Sequence, residues 1–246
     1  MNEKSHKIAL VHDFLLAFGG AERVLKELSS MYPEAPIYTL LENQAMTGCI
    51  FPGRVIRTSF LQKFPKWLRK RYWLLTPFFP VAVETFDLRD FDLVISSSGA
   101  WSKGIVTRLN TRHIAYLHSP TRFFWDSHHW HPALREKRQI FRRLLMSYIR
   151  LWDKEAADRP DVLVANSEYT ASRIQKYYRR DSVVIYPPVA PLGKQEEDTL
   201  KEEKNYFLVV SRLTEAKRVD VVIDAFNKLN LPLVIVGTGR EMEKLK

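Results

Sequence analysis

Short apolar runs alternate along this chain with longer stretches in which apolar residues recur every three or four positions. The runs at 7–12 (KIALVH), 92–97 (DLVISS), 113–118 (HIAYLH), 161–167 (DVLVANS) and 182–189 (SVVIYPPV) are each closed by polar or turn residues. Runs of this kind predict strands covered on both faces. Residues 21–31 place Val24, Leu25 and Leu28 on one face, and residues 134–157 carry Leu, Ile and aromatic side chains at helical spacing. Both stretches predict amphipathic helices. Strand and helix in alternation predict a parallel α/β sheet.

The pattern changes between residues 187 and 204. PPVAPLGKQEEDTLKEEK holds three prolines, a glycine and a dense run of charge, which predicts a linker between a first domain at 1–186 and a second at 205–246. The second begins YFLVVSRL, continues through a helical VDVVIDAFNKL to LPLVIVGTG, and starts a further helix at 240–246. One strand–helix–strand unit is too little sheet to stand alone, so the second domain is expected to be incomplete in these 246 residues.

Composition adds boundaries. With 46% hydrophobic and 27% charged residues the chain is globular, and its single cysteine, Cys49, excludes an internal disulfide or a zinc site built on paired cysteines. No apolar stretch is long enough to cross a bilayer. A cytoplasmic protein, soluble or peripheral on a membrane, is expected. The excess of 38 Lys and Arg over 28 Asp and Glu, net charge +10, points to anionic partners.

Three loops carry candidate chemistry. In HDFLLAFGGAERVLKEL, Gly19 and Gly20 directly precede a helix, where backbone amides can approach a phosphate or a sugar hydroxyl. A plain strand-to-helix turn reads the same way, and the dinucleotide fingerprint is not met. In SRLTEAKRVD, Arg212 and Lys217 follow a strand and could neutralise a diphosphate, or be ordinary surface charge. Gly237 and Gly239, after the next strand, offer backbone donors or simply a turn. In AYLHSPTRFFWD, His118 ends a strand and could donate to a sugar or stabilise developing charge, the alternative being a satisfied structural histidine. Arg122 and Asp126 serve a ligand or pair internally.

His128, His129 and His131 do not have the spacing of helical metal ligands, and no metal site is expected. Ser97 and Ser98, in SSSGAW, read as a turn rather than as nucleophiles.

Residues 54–83 hold seven basic residues and no acidic one. Within them Lys63, Lys66, Arg69, Lys70 and Arg71 interleave with Trp67, Trp73 and further aromatics, a mixture suited to the headgroup level of an anionic membrane. Arg135, Lys137, Arg138, Arg142, Arg143 and Arg150 form a second basic cluster. A solvated rim around the α/β core is the alternative.

Four motifs in order, VHDFLLAFGGAERVLKEL, YLHSPTRFFWD, VANSEYTASRI and VVSRLTEAKRVDVVIDAF, resemble the GT-B glycosyltransferases of family 4. Within it they are most similar to the bacterial mannosyltransferase-like branch of O-antigen and exopolysaccharide assembly. The resemblance spans nearly the whole chain. It implies a complete N-terminal Rossmann-like domain followed by the start of a second, with metal-independent transfer from a nucleotide sugar and retention at the anomeric carbon. By the same resemblance Gly19, Gly20 and Arg122 line the donor and acceptor cleft, and His118 lies near the transferred sugar. Arg212 and Lys217, with Gly237 and Gly239, hold the donor diphosphate. GDP-mannose is the first guess for the donor, and a lipid-linked saccharide at the inner face of the cytoplasmic membrane for the acceptor. The family's paired glutamates, eight residues apart, have no counterpart before Lys246, so little or no transfer by these residues alone is expected. The competing reading is a non-catalytic basic α/β module gripping membrane or nucleic acid. No nucleic-acid signature accompanies the charge, and no nucleic-acid partner is expected.

Overall fold

The first strand, β1 (Ile8–Leu15), explains how the sheet is covered on both sides. Successive side chains of a strand point to opposite faces. Ala9 and Val11 enter one core cluster while Leu10 enters another, so both faces must be packed. In the computed structural model, which describes residues 6–126, 136–189 and 205–245, they are.

The chain divides into two compact units, 1–189 and 190–246. After β1 the first unit continues through α1 (Gly20–Met31), β2 (Ile37–Glu42), α2 (Gln44–Ile50), β3 (Ile56–Thr58), α3 (Lys66–Lys70) and α4 (Phe79–Glu84). It proceeds through β4 (Leu93–Ser98), β5 (Arg112–Leu117), α5 (Arg122–Trp125), α6 (Glu136–Asp158), β6 (Val162–Ala165), α7 (Glu168–Tyr178) and β7 (Val183–Val184). Among the described residues the seven strands form one sheet in the order β3-β2-β1-β4-β5-β6-β7, every pair parallel. The strand order reverses between β1 and β4. Ligands of open α/β sheets bind at the carboxyl ends of the strands beside such a reversal.

One face is covered by α1, whose Val24 packs with Tyr116 and Val164 and whose Leu25 packs with Leu10 and Ile95. The other face carries α6, α7 and the segment following β3, bringing Leu61, Leu75, Phe79, Ile149 and Trp152 onto Val11, Leu40 and Val94. The α7 helix starts where Ser167 Oγ accepts from the Thr170 amide at 3.2 Å, an N-cap with Glu168 in the first turn.

The parallel α/β sheet is as expected, with adjustments at its edges. The run at 182–189 yields only Val183–Val184 as strand, because Pro187 and Pro188 have no amide to give to a ladder. Gly19 is the N-cap of α1, but Gly20 is its first residue rather than a residue before it. Strand β2 and the edge strand β3 add to the runs picked out from the pattern.

The second unit contains β8 (Phe207–Val210), α8 (Val219–Leu229), β9 (Leu233–Val236) and α9 (Met242–Leu245), with β8 and β9 parallel. No described helix is long and apolar enough to cross a membrane.

Candidate functional site

Register and pleat bring four polar side chains to one spot at the carboxyl edge of the sheet. His12 of β1 lies opposite Ser97 of β4, Ser97 lies opposite Tyr116 of β5, and His118 follows two residues later on the same face. That face is the one α1 covers, so Glu22, in the first turn of α1, reaches the group as well. His12 Nδ1 lies 3.1 Å from Ser97 Oγ, and Ser97 Oγ lies 2.8 Å from His118 Nε2. His12 Nε2 stands 3.5 Å from Glu22 Oε1. The two imidazoles meet edge to face with centroids 6.5 Å apart.

Burial pushes the His118 imidazole down to about 4, with Asp13 and Glu22 opposing the effect. A neutral imidazole results at physiological pH. Burial alone would raise the Glu22 carboxyl, yet the hydrogen bonds it accepts from His12 and from the backbone amides of Glu22 and Gly19 carry it below the usual carboxylate range.

The opposite face of the strand ends is organised by Asp13. Its Oδ2 accepts from the amides of Gly99 (2.9 Å) and Ala100 (2.6 Å), and its Oδ1 from those of Trp101 (3.0 Å) and Ser102 (2.6 Å). One carboxylate thereby shapes the whole loop after β4. Beside it opens an apolar cavity of about 500 Å³, lined by Phe14, Tyr72, Trp73, Phe79, Trp101 and Phe124 with Asp13 at its edge.

The chain backbone at His118 is held from behind, its carbonyl accepting from Asn166 Nδ2 at 3.0 Å and from Thr170 Oγ1 at 3.4 Å. At Gly20 a side-chain Cβ would meet nothing within 4 Å, so that helix start borders open space. Arg122 is exposed at the first position of α5. Asp126 does not pair with it. Asp126 binds Arg173 (2.8 Å) and Tyr177 Oη (3.1 Å), a structural clasp between α5 and α7.

In the second unit Arg212 lies in the loop after β8, and Lys217 closes the short turn Glu215–Lys217. Gly237 and Gly239 run against that same loop: a Cβ on either would collide with the carbonyl oxygen of Ser211 or Leu213. The Ser211 amide donates to Val236 O at 3.0 Å and the Leu213 amide to Thr238 O at 2.9 Å. Close backbone approach thus requires both glycines and stitches the Arg212 loop to the end of β9.

Comparison with known families decides what this arrangement belongs to. The model described as Glycosyltransferase Family 4 matches residues 18–191, well over half of the chain. The chain belongs to glycosyltransferase family 4. Residues 193–246 match a second model, described as Glycosyl transferases group 1. A search of curated proteins finds no match. Among solved structures, the glycotransferase of kitacinnamycin aligns with TM-score 0.46 and 10% identity over 94% of this chain. The calicheamicin glycosyltransferase CalG4 aligns with TM-score 0.47 and 13% identity over 95%. The chain spans 65% and 66% of the lengths of those two proteins.

For this family 4 chain, three residues of the cluster, and Asp13 on the opposite face, went unread in the sequence. His12, Asp13 and Glu22 sit inside the motif quoted for the resemblance, yet only its glycines were singled out, and Ser97 reads there as a turn. Ser97 is in fact a fully buried strand residue between two imidazoles. The signal available was the HD pair inside a buried strand, where polar residues cost free energy unless satisfied. The triplet His128, His129 and His131, with Arg135, lies outside the described residues. Among the described residues no group of three His, Cys, Asp or Glu could hold a metal ion.

Proposed function

We propose that this family 4 protein transfers a sugar from a nucleotide sugar to an acceptor, with retention at the anomeric carbon and without a metal ion. The observation that carries this reading is the cluster of His12, Ser97, His118 and Glu22 at the strand-order reversal, bordered by the open start of α1. In it His118 contacts the transferred sugar, while Gly19, Gly20 and Arg122 border the donor and acceptor. Arg212 and Lys217 hold the donor diphosphate, supported by their place in a loop after a parallel strand. Charge grows on the leaving phosphate as the glycosidic bond breaks, and fixed cations there favour the transition state over the ground state.

The proposed donor is GDP-mannose and the proposed acceptor a lipid-linked saccharide at the inner face of the cytoplasmic membrane. Support for a lipid comes from the apolar cavity beside Asp13, two walls of which, Tyr72 and Trp73, belong to the basic and aromatic segment. The non-catalytic reading rests on net charge alone, which informs on partners rather than on fold.

A panel of nucleotide sugars, scored for release of nucleoside diphosphate with a polyisoprenyl-linked acceptor, tests this in a protein that carries residues 1–246 together with a complete group 1 domain. Release of GDP from GDP-mannose is expected, falling about 100-fold in His118→Ala, the order seen on loss of one positioned electrostatic group. Release of UDP in its place overturns the mannosyl donor. Release untouched by the variant removes His118 from the reacting centre.

A further inference from the structure

The hydrogen bonds around His118 have a direction that their distances alone do not state. A neutral imidazole carries one N–H and one bare nitrogen, and the hydroxyl of serine can donate one proton while accepting another. Glu22, held as a carboxylate, can only accept, so the proton facing it must sit on His12 Nε2. Could His12 instead be a cation, with protons on both nitrogens? It is 2% exposed, and 3.5 Å to Glu22 is far longer than the about 2.7–2.9 Å of a charge-assisted N–H to carboxylate bond, so the ring is neutral. Its Nδ1 is then bare and accepts from the Ser97 hydroxyl at 3.1 Å. With its own proton given to His12, Ser97 Oγ has only lone pairs left for His118, whose Nε2 at 2.8 Å must be the donor.

We propose that Glu22, His12 and Ser97 are positioning residues forming a one-way chain that places the His118 proton on Nε2 and leaves Nδ1 as a bare acceptor. Among the described residues no protein group bonds that Nδ1. It is therefore the atom His118 has to offer a ligand, and it recognises a group that donates, as a sugar hydroxyl does. In this proposal His118 accepts from the sugar, where the sequence reading has it donate. The assignment of a sugar as the ligand rests on the transferase reading; the tautomer does not.

Long-range nitrogen–proton NMR correlation of the imidazoles in the wild-type chain at neutral pH reads the tautomer directly. Expected are a pyrrole-type Nε2 and a pyridine-type Nδ1 for both His12 and His118. A protonated Nδ1 on His118 overturns the proposal. Ser97→Ala should let the two nitrogen shifts of His118 converge as its tautomers mix, and Ser97→Thr, which keeps the hydroxyl, should restore them. Unchanged shifts in Ser97→Ala overturn the chain. In the nucleoside diphosphate release assay Ser97→Ala is expected to lower kcat/KM about tenfold, the worth of one hydrogen bond, and Ser97→Thr to recover it. Absence of any nucleoside diphosphate release from the protein with a complete group 1 domain, beside the expected tautomers, overturns the transferase reading and leaves the chain standing.

Discussion

At the scale of single residues, buried histidines make this protein sensitive to acid. His113 of β5 is buried, its Nε2 is 2.8 Å from Ser96 Oγ, and its Nδ1 has no partner among the described residues. Burial pushes it down to about 3, with Arg180 acting in the same direction and Asp161 against it. His118 is held down to about 4 by burial. In the unfolded chain both take up a proton near the ordinary 6.5. Between the folded and unfolded values the unfolded chain binds more protons, so stability rises with pH there. The stabilisation is complete above about pH 6.5 and is lost as pH falls toward 4 and then 3. Urea midpoints measured from pH 7.5 to 4 should therefore fall steadily, with about pH 6.5 as the onset. A His113→Gln variant, having no imidazole to charge, should show a shallower fall. A slope identical to the wild type would place the acid sensitivity elsewhere.

At the scale of elements, α3 and the turn Tyr72–Phe78 decide whether the acid-free segment can meet a membrane. Its apolar residues split between two tasks. Leu61, Leu75, Phe79, Ala82 and Val83 are in the core, whereas Trp67 (62% exposed) and Trp73 (63%) stand out from it. Arg69 is not a simple surface cation, since its Nε donates to Phe64 O at 3.0 Å and holds the chain entering α3. Lys66, Lys70 and Arg71 carry no such bond among the described residues and are the better test. Each basic residue near an anionic surface is worth about 1 kcal/mol, so changing these three to glutamine should weaken vesicle binding about 100-fold. Sedimentation with phosphatidylglycerol vesicles at low and high salt measures it. Binding that survives the three changes would remove these cations from the membrane contact. In the second basic cluster Arg150 turns inward, its Nε donating to Phe124 O at 2.6 Å, while Arg143 is exposed.

At the scale of the first unit, one buried charge ties the site loops to the helical layer. Asp153 of α6 is fully buried and accepts from four side chains: Lys103 Nζ at 2.6 Å, Thr121 Oγ1 at 3.0 Å, Trp125 Nε1 at 2.7 Å and Tyr178 Oη at 2.8 Å. Burial and the carboxylate together raise the Tyr178 hydroxyl well above its ordinary value, which keeps it a donor. Lys103 follows the loop that Asp13 shapes, and Thr121 precedes α5, so loops from two strands converge on this carboxylate. Breaking a buried pair strands its partner, at a cost of about 3–5 kcal/mol. Asp153→Ala should lose that much in urea unfolding. A loss under about 1 kcal/mol would mean that Lys103 finds water or another acceptor.

Much of this architecture was legible before the structure. Leu10, Ile95 and Val164 belong to runs whose length and closure mark buried strands, and α1 follows from the spacing of Val24, Leu25 and Leu28. Those patterns are local: a strand or helix facing a core needs apolar residues at its own period wherever the core lies. His118 and the glycines of α1 were legible too, through motif order. What the sequence could not show is which polar residues meet. His12 and Ser97 are 85 positions apart and become partners only when β1 pairs with β4 in one register. Asp13 points away from both because it is one residue on, across the pleat. Strand pairing is a long-range choice made by packing both faces of the sheet at once, and that choice, rather than any local signal, made the hydrogen-bonded chain behind His118.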